Sequence, residues 1–442
     1  MKFENKGNNI HGILLSMMVE TKYNRTYTDA WDFRTSDTKE YTHSYHNYPA
    51  MMIPQIARKL IEDYAPKGKL ELIFDPYMGS GTTLVESKLK GINSIGTDLN
   101  PLARLISKTK TTNFDINEIE NKIQLLNSQI KNYKGSTKVN LEHITNVDFW
   151  YSPENTSELN YLTQIINQFS TDIKDFFLLA LSECVREVSY TRNGEFKRYR
   201  MAKEKIPSFK PNTFKLFIDK LERNKKGLIE FNKKQNSSSA IVSSFNTVFG
   251  IPSEEIKEDS VDLVVTSPPY GDSRTTVAYG QFSRWANEWF KFENAKTLDK
   301  ILMGGSKIKE FSLQTNSISK ELKSIKEADE KRYYEVLSFL DDYYKSICNV
   351  SKVIRIGGRI CYVVGNRNVK GVQIPLDYFT IETFERNGFK HLDTFVRSIP
   401  NKRMPNKISP TNKKGVNVTT MVNEFIIVME KQKQVANNVY KK

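Results

Sequence analysis

The sequence has few of the residues that build metal centres and disulfide frameworks. Its 442 residues include three cysteines and five histidines. Cys184, Cys348 and Cys361 show neither metal-ligand spacing nor a paired pattern, so we expect no bound metal and no disulfide bond. Free thiols fit a reducing cytoplasm, which is the expected location. His43 and His46 lie close together, and we interpret them as loop or packing residues.

Long apolar runs are also missing. No stretch has the length and hydrophobicity of a membrane-spanning helix. The apolar segment from Ile10 to Val19 is short, follows no notable basic region and lacks an Ala-x-Ala site, which argues against a signal peptide. We therefore expect the protein to act away from membranes. Its 442 residues are enough for one large α/β domain with an inserted region.

Positive charge is in excess. The sequence has 66 lysines and arginines against 51 aspartates and glutamates, a formal net charge of +15. Such a balance favours a polyanionic partner whose phosphates release counterions on binding. The densest basic stretch also carries aromatic residues, and its members are Arg192, Phe196, Lys197, Arg198, Tyr199, Arg200, Lys203, Lys205, Phe209 and Lys210. A solvated lysine-rich surface is the alternative interpretation of this stretch.

One short motif combines rigidity with hydrogen-bond acceptors. The apolar run Val261 to Val265 predicts a buried strand, and Thr266, Ser267, Pro268, Pro269 and Tyr270 follow it. Two prolines fix two φ angles and remove two N–H donors, so the loop is stiff at the carboxyl end of a strand. A hydroxyl, undonated carbonyls and an aromatic ring suit a planar base that carries an exocyclic amino group. A plain proline-rich turn is the alternative.

A glycine-containing loop lies upstream. The strand that ends at Asp75 is followed by Pro76, Tyr77, Gly79, Ser80, Gly81 and Thr82. The two glycines allow a tight turn and a close backbone approach to a ligand, and Thr82 or Thr83 is placed to cap the next helix. A second strand, Asn93 to Thr97, ends at Asp98, which is placed to bind ribose hydroxyls. No Gly-Lys-Ser/Thr follows as in a P-loop, and Leu84 replaces the third glycine of a dinucleotide site. The ligand is expected to be a nucleoside without a pyrophosphate.

Together these motifs resemble those of the S-adenosylmethionine-dependent amino-methyltransferases of DNA. The segment Asp75 to Thr82 resembles their cofactor loop, and Thr266 to Tyr270 resembles their catalytic loop. The segment His46 to Pro54 resembles the part that covers the methionine end of the cofactor. Residues 353–364 resemble the helix end, Gly-Gly turn and strand that follow the catalytic strand in this family, with the turn at Gly357 and Gly358 and the strand from Ile360 to Val364. Residues 397–429 resemble its closing strands. The cofactor loop precedes the catalytic loop, unlike in permuted members.

The resemblance implies a fold, a cofactor and site residues. The fold is a doubly wound, mostly parallel, seven-stranded Rossmann-like α/β sheet with a helical insertion, and the cofactor is S-adenosylmethionine. Methyl transfer is assigned to Ser267, Pro268, Pro269 and Tyr270. Cofactor contacts are assigned to Tyr48, Pro49, Ala50, Asp75, Pro76, Tyr77, Gly79, Ser80, Gly81, Thr82, Asp98, Asn100 and Thr266. No metal site is implied.

The sequence departs from the family after the third strand of the sheet. Most members have an acidic residue there that reaches the adenine of the cofactor, but this chain has Ile251 at the matching position. Ser253 or Glu254 could replace it, or packing and backbone groups could hold the adenine.

The spacing of the two loops predicts an insertion. About 190 positions separate Asp75 from Ser267, whereas the strands and crossovers between them need about 70–90 residues. We expect an N-terminal extension over 1–40, the cofactor-binding half over 41–110 and a mainly helical insertion over 111–245. Apolar residues at three and four spacing predict helices in this insertion at Ile116–Tyr133, Glu158–Phe169, Ile173–Val188 and Asn212–Lys233. The catalytic half follows over 246–432, with room for a further insertion over 290–330, and a flexible tail covers 433–442. In the family an insertion here often recognises the target, although a helical cover of the sheet is the alternative.

Candidate DNA contacts lie in two places. Arg192, Lys197, Arg198 and Arg200 belong to the basic stretch within the expected insertion. Arg274 follows the catalytic loop, in a segment that must start close to the target base. Basic side chains at either place would neutralise backbone phosphates, and the neighbouring aromatic rings would stack or wedge.

The chemistry favours an exocyclic amino group. Methylation of cytosine carbon 5 needs a thiolate presented after a proline, but Glu183, Ile347 and Ile360 precede the three cysteines. An amino nitrogen needs no covalent intermediate, because hydrogen bonds to Ser267 and the Pro268 carbonyl would draw its lone pair out of the ring. The base must first be flipped out of the duplex, and Tyr270 would stack on it.

The sequence therefore predicts a site-specific methyltransferase that acts on cytosine N4 in double-stranded DNA, within a restriction-modification system with a separately encoded endonuclease. In the family, serine at the position of Ser267 usually accompanies cytosine N4, whereas asparagine or aspartate accompanies adenine N6. Three alternatives stay open: an adenine-N6 enzyme, an RNA amino-methyltransferase, and a basic DNA-binding module without activity.

Overall fold

The computed structural model describes residues 23–135, 141–273, 275–308, 315–399 and 423–433. An eight-stranded sheet lies at its centre. Its strands are β1 (Thr26–Tyr27), β2 (Leu72–Asp75), β3 (Asn93–Thr97), β4 (Ala240–Ser243), β5 (Val261–Thr266), β6 (Ile354–Gly365), β9 (Phe389–Ser398) and β10 (Asn423–Lys431). They lie in the order β1-β9-β10-β6-β5-β2-β3-β4. A separate hairpin joins β7 (Asn368–Val369) to β8 (Val372–Gln373).

The sheet confirms the predicted fold class. Strand β10 runs antiparallel to both of its neighbours, and the other strand pairs are parallel. All residues of β5 are buried, as expected for a parallel strand that is covered on both faces. The sheet has one strand more than the predicted seven. The additional strand is β1, whose two residues pair with the outer edge of β9.

Strand β6 begins earlier than the sequence predicts. We expected a Gly-Gly turn before a strand from Ile360 to Val364, but the strand starts at Ile354 and contains both glycines. Its pairing with β5 shifts between Val261 and Leu263, so residues 355–358 form an irregularity within the strand. Gly357 has a φ of 74° there, a conformation that glycine adopts without strain.

Helices cover the sheet and fill the long connections. Those near the sheet are α1 (Pro54–Tyr64), α2 (Thr82–Leu89), α3 (Pro101–Thr111), α12 (Glu330–Val353) and α13 (Leu376–Arg386). Between α3 and β4 lie α4 (Ile116–Lys131), α5 (Val147–Trp150), α6 (Pro153–Ile166), α7 (Thr171–Glu187) and α8 (Thr213–Asn232). After β5 come α9 (Tyr279–Trp289), α10 (Leu298–Ile301) and α11 (Ser319–Ala328). Short 3-10 helices span Asp29–Trp31, Tyr41–Tyr45 and Lys203–Lys205.

Local sequence explains several helix starts. Asn100 caps α3 by accepting a hydrogen bond from the Leu102 N–H, and Pro101 occupies the first helical position. Asp115 caps α4 and Ser152 caps α6 in the same way, with Pro153 as the first residue of α6. These side chains satisfy N–H groups that the first helical turn cannot pair internally.

The helices between α3 and β4 share one apolar core with α9 and with the segment before α1. Buried Phe176 and Leu179 of α7 belong to the same cluster as Trp285 of α9 and Tyr48 of the segment before α1. The rings of Tyr45 and Phe176 meet edge to face, with centroids 5.9 Å apart. This region therefore packs continuously against the cofactor side of the sheet. None of the described helices is long and apolar enough to cross a membrane.

We expect Gly227→Ala to destabilise the fold. Gly227 lies on α8, and a Cβ atom there would overlap the Tyr41 carbonyl oxygen and approach Tyr45 Cε1 at 3.0 Å. Alanine is about 1 kcal/mol more favourable than glycine within a helix. Overpacking, however, costs about 1–3 kcal/mol, and here the overlap involves a backbone atom. Chemical denaturation should show a lower free energy of unfolding. Gly194→Ala is the matched control, because a Cβ atom at Gly194 meets nothing within 4 Å. Equal stability of the two variants would contradict the packing described.

Candidate active site

A pocket lies where β2, β3, β4 and β5 end. Most of the residues predicted to bind the cofactor line it: Tyr48, Pro49, Ala50, Asp75, Pro76, Tyr77, Gly79, Ser80, Thr82, Asp98 and Asn100. Ser267 and Pro269 of the predicted catalytic loop line the same pocket. Gly81, Thr266, Pro268 and Tyr270 are not among its lining residues. Carboxyl ends of parallel strands are the usual ligand-binding edge of such a sheet.

The glycine loop takes the conformation for which its glycines were predicted. Gly79 and Gly81 have φ angles of 47° and 74°. The Gly81 N–H donates to the Met78 carbonyl at 2.7 Å, and the Ser107 hydroxyl donates to the Gly79 carbonyl at 2.9 Å. A Cβ atom on Gly81 would lie 2.7 Å from Ser107 Oγ, so glycine is required for the close approach to α3.

The helix after this loop is not capped by a threonine, contrary to the expectation. Gly81 holds the cap position of α2, and Thr82 is its first helical residue. The Thr82 hydroxyl donates to the Met52 carbonyl at 3.2 Å, and the Thr83 hydroxyl donates to the Val265 carbonyl at 3.0 Å. Both side chains therefore tie α2 to neighbouring segments.

Two carboxyl groups support the loop through hydrogen bonds: Asp75, which is buried, and Asp98, which is partly buried. Asp75 Oδ1 accepts from the Thr266 hydroxyl at 2.5 Å and from the Tyr77 N–H at 3.2 Å. Asp98 accepts from the Gly79 N–H at 3.1 Å and from the Asn100 N–H at 2.8 Å. Burial raises the pKa of each to about 6, against the opposing effect of these hydrogen bonds. Thr266 thus supports the pocket through Asp75 without lining it.

Asn100 joins the cofactor side to α9. Its amide nitrogen donates to Tyr48 Oη at 2.9 Å and to Ser283 Oγ at 2.6 Å. The Tyr48 ring stacks on that of Tyr279, with centroids 5.8 Å apart and planes 24° apart. Tyr48 and Tyr279 both line the pocket and form an aromatic wall.

The side chains of the catalytic loop form hydrogen bonds to two strands, β6 and β10. Ser267 Oγ lies 3.1 Å from the Val363 carbonyl oxygen and 3.1 Å from Tyr270 Oη. The Tyr270 hydroxyl donates to Glu424 Oε1 at 3.0 Å. Burial raises the pKa of Tyr270 well above its usual value, so its hydroxyl is protonated at neutral pH.

Sequence reasoning missed one wall of the pocket. Phe245, Asn246, Thr247 and Val248 line it, whereas Ser253 and Glu254 are exposed and Ile251 does not line it. These four residues begin two positions after β4 ends, at the same edge as the other loops. Their place just after a strand is the only signal in the sequence, and β4 itself was not predicted, so the expected adenine contact fell on Ile251, Ser253 or Glu254 instead.

Lys110 is a second residue that the sequence did not single out. It lies in the last turn of α3, is buried, and donates to the Ser80 carbonyl at 3.0 Å. Burial lowers the pKa of its ammonium group to about 7, against the opposing effect of Glu86. A lysine near a helix end is common on surfaces, so nothing in the sequence marked this one as support for the loop.

The predicted DNA contacts fall on a hairpin. Residues 190–201 form this hairpin, closed by hydrogen bonds from the Arg192 N–H to the Tyr199 carbonyl at 2.8 Å and from the Met201 N–H to the Tyr190 carbonyl at 2.7 Å. The Arg192 side chain is 52% exposed. Arg198 packs on the Trp285 ring at 4.7 Å, and Arg200 packs on the Phe149 ring at 4.1 Å. Arg274 lies outside the described residues.

The hairpin is fixed beside α9. Arg186 of α7 donates to the Glu195 and Phe196 carbonyls and packs on the Phe282 ring of α9 at 4.7 Å. The Arg198 N–H donates to the Gln281 side-chain oxygen at 3.3 Å. Since α9 begins at Tyr279 in the pocket wall, the structure brings the hairpin close to the pocket.

We expect Asp98→Asn to weaken the binding of the expected cofactor, S-adenosylmethionine. An ionised carboxylate accepts hydrogen bonds from ribose hydroxyls, and such charged bonds contribute about 1.5–3 kcal/mol, or about 10- to 100-fold in affinity. Titration calorimetry should also show wild-type affinity falling as the pH drops through about 6, because the acceptor is then protonated. The variant should bind weakly with a smaller pH dependence. Wild-type affinity in this variant would exclude a role for Asp98.

Comparison with known proteins is consistent with this geometry. Residues 4–108 match the family model described as DNA methylase, of the N6 and N4 type. The chain is 40% identical over 424 residues to type II methyltransferase M.MvaI of Kocuria varians, covering 90% of this chain and 93% of that one. It is 25% identical over 410 residues to type II methyltransferase M.BsoBI of Geobacillus stearothermophilus, covering 80% and 79%.

A solved structure has a weaker similarity. The putative DNA modification methylase TTHA0409 of Thermus thermophilus, complexed with S-adenosyl-L-methionine, has 18% identity and a TM-score of 0.20 over 44% of this chain and 54% of that chain. The family assignment rests on the sequence relatives. This chain belongs to the S-adenosylmethionine-dependent DNA amino-methyltransferases, in the restriction-modification group that includes the type II methyltransferases.

Proposed function

We propose that this DNA methyltransferase methylates the exocyclic N4 amino group of a cytosine flipped out of double-stranded DNA at a specific recognition site. The observation that carries the proposal is the identity and setting of Ser267, the first residue of the catalytic loop. Its hydroxyl lines the pocket and lies within hydrogen-bond distance of the Val363 carbonyl and the Tyr270 hydroxyl. In enzymes that carry this loop, serine at its first position usually accompanies cytosine N4.

The pocket fits a nucleoside cofactor. Asp98 would bind the ribose hydroxyls, and the backbone of the glycine loop allows close approach. Phe245, Val248 and Met303 offer apolar surface to the adenine. S-adenosylmethionine supplies an electrophilic methyl group on its sulfonium sulfur.

The catalytic loop would act on the amino group. Ser267 Oγ and the Pro268 carbonyl would accept its two N–H groups, which draws the nitrogen lone pair out of conjugation with the ring. Pro269 would fix the loop, and Tyr270 would contact the flipped base. Because no covalent intermediate is involved, catalysis depends on positioning and on preorganised dipoles.

The 190–201 hairpin is the proposed DNA contact. Arg192 and Lys197 would neutralise backbone phosphates, and the rings of Phe196 and Tyr199, which are 44% and 41% exposed, would stack or wedge against bases. Arg198 and Arg200 would support the hairpin by packing on the Trp285 and Phe149 rings, and Arg200 also donates a hydrogen bond to the Phe149 carbonyl at 2.9 Å. Arg274 is proposed as a further DNA contact.

The same proposal covers organisation and partners. Because β4 (Ala240–Ser243) belongs to the central sheet and Phe245 lines the pocket, the insertion ends before residue 240 and not at 245 as expected. Residues 41–110 and 240–432 form the methyltransferase domain, and residues 111–239 recognise the target. A separately encoded endonuclease of the same specificity would accompany the enzyme.

The methylated base can be identified directly. DNA from a methylation-free host that expresses this chain should yield N4-methylcytosine when it is hydrolysed to nucleosides and measured by mass spectrometry. Ser267→Ala should lower the yield by about 100-fold, because it removes one preorganised acceptor, while calorimetry shows unchanged cofactor binding. Finding N6-methyladenine in place of N4-methylcytosine would assign the adenine alternative and reject the proposal.

The hairpin can be tested through the salt dependence of DNA binding. Replacing Arg192 and Lys197 by glutamine should lower the slope of log affinity against log salt by about 0.9 for each lost phosphate contact. The control replaces Lys69 and Lys257 by glutamine. Both residues are exposed and precede the parallel strands β2 and β5, so they lie at the opposite edge of the sheet. Both double variants remove two positive charges. Equal slopes in the two variants would show that net charge alone determines binding.

A further inference from the structure

Glu424 lies at the catalytic edge because β10 is antiparallel. The strands β2, β3, β5 and β6 end at this edge, whereas β10 begins there. Glu424, the second residue of β10, stands between Gly365, the last residue of β6, and Arg397 of β9. An acidic residue far from both family motifs in the sequence is thereby placed beside the catalytic loop.

A chain of hydrogen bonds connects Glu424 to the pocket. Arg397 Nη1 donates to Glu424 Oε2 at 2.9 Å, and the two side chains are 7% and 18% exposed. The other carboxylate oxygen, Oε1, accepts from the Tyr270 hydroxyl at 3.0 Å. Tyr270 Oη then lies 3.1 Å from Ser267 Oγ, which lines the pocket. Glu424 is not among the residues that line the pocket, so it can affect a bound base through Tyr270 and Ser267.

The available protons determine which oxygen donates and which accepts in this series of hydrogen bonds. A carboxylate accepts and cannot donate, so the single phenol proton of Tyr270 points to Glu424. The single hydroxyl proton of Ser267 must then go to the Val363 carbonyl or to the phenol oxygen, both 3.1 Å away. In either arrangement the lone pairs of Ser267 Oγ receive no proton from Tyr270. They remain available to an N–H group in the pocket.

We infer that Glu424 is a positioning residue for methyl transfer, which takes the Tyr270 proton and so keeps Ser267 Oγ an acceptor for the target amino group. Arg397 holds the carboxylate in place and compensates its charge at a site that is mostly shielded from water. The inference rests on the proposed role of the loop from Ser267 to Tyr270.

The substitution Glu424→Gln should reverse the direction of donation in this series of hydrogen bonds. Its amide can turn an N–H group towards Tyr270 Oη, so that the phenol proton points to Ser267 and occupies one of its lone pairs. Glu424→Gln should therefore lower kcat by about 10- to 100-fold, the range for a hydrogen bond to a charged group, without raising the KM for S-adenosylmethionine. Rates are expressed per cofactor-binding site measured by calorimetry, so that misfolded protein is not counted.

A double-mutant cycle separates positioning from a general loss of stability. Without a phenol there is no proton to direct, so adding Glu424→Gln to Tyr270→Phe should change kcat by less than about twofold beyond the effect of Tyr270→Phe alone. Glu430→Gln is the matched control. Glu430 lies on the same strand and forms a comparable cross-strand pair with Arg359 at 3.0 Å, away from the catalytic edge. Its kcat should equal that of the wild type.

Two results would overturn the inference. One is a wild-type kcat in Glu424→Gln, and the other is an equal loss from Glu424→Gln in the presence and absence of the phenol. A wild-type protein that transfers no methyl group to a DNA amino group would instead reject the proposed function, and the inference with it. The first two results leave N4 methylation by the wild type intact, so the two failures can be told apart.

Discussion

The parallel pairing of β2 with β3 and β5 is the constraint on which the site depends. It places the loops after these strands side by side, so Asp75, Asp98 and Ser267 come together from positions far apart in the sequence. Each loop then needs residues that tolerate crowding: glycines with positive φ after β2, and prolines without N–H donors after β5. The chemistry of the pocket follows from this arrangement of strand ends.

Much of this arrangement could be predicted because it depends on local residue patterns. The strand Asn93–Thr97 has the bounds expected from its pattern, and the helices Ile116–Lys131 and Thr213–Asn232 differ from the expected bounds by two residues or fewer at each end. The two loops carry residue types with strong conformational preferences, so their neighbours in the fold could be inferred as well. The DNA methyltransferase family, expected from the same motifs, is confirmed by the sequence relatives.

Other features could not be predicted because they depend on contacts between distant segments. Asn246 lies in the pocket because β4 ends at Ser243, and an asparagine in a loop has no distinctive pattern. Lys110 is buried because α3 packs against the glycine loop, although its sequence context is that of a surface lysine. Glu424 reaches the catalytic loop because one strand reverses direction, and strand direction is a property of the whole sheet. The assignment of individual residues to cofactor, base and DNA stays a prediction.

The continuous core that joins α7, α9 and Tyr48 has a consequence for how the target specificity of such an enzyme could change. A region with its own closed core could be exchanged between relatives as a unit. Here, removal of the helical region over 111–239 would expose Trp285 and Tyr48, which are 0% and 6% exposed in the intact chain, and would leave the wall of the cofactor pocket without support. Substitutions of exposed side chains on the 190–201 hairpin leave this core intact. New sequence preferences in this lineage are therefore expected to arise by point changes at the surface rather than by exchange of whole modules.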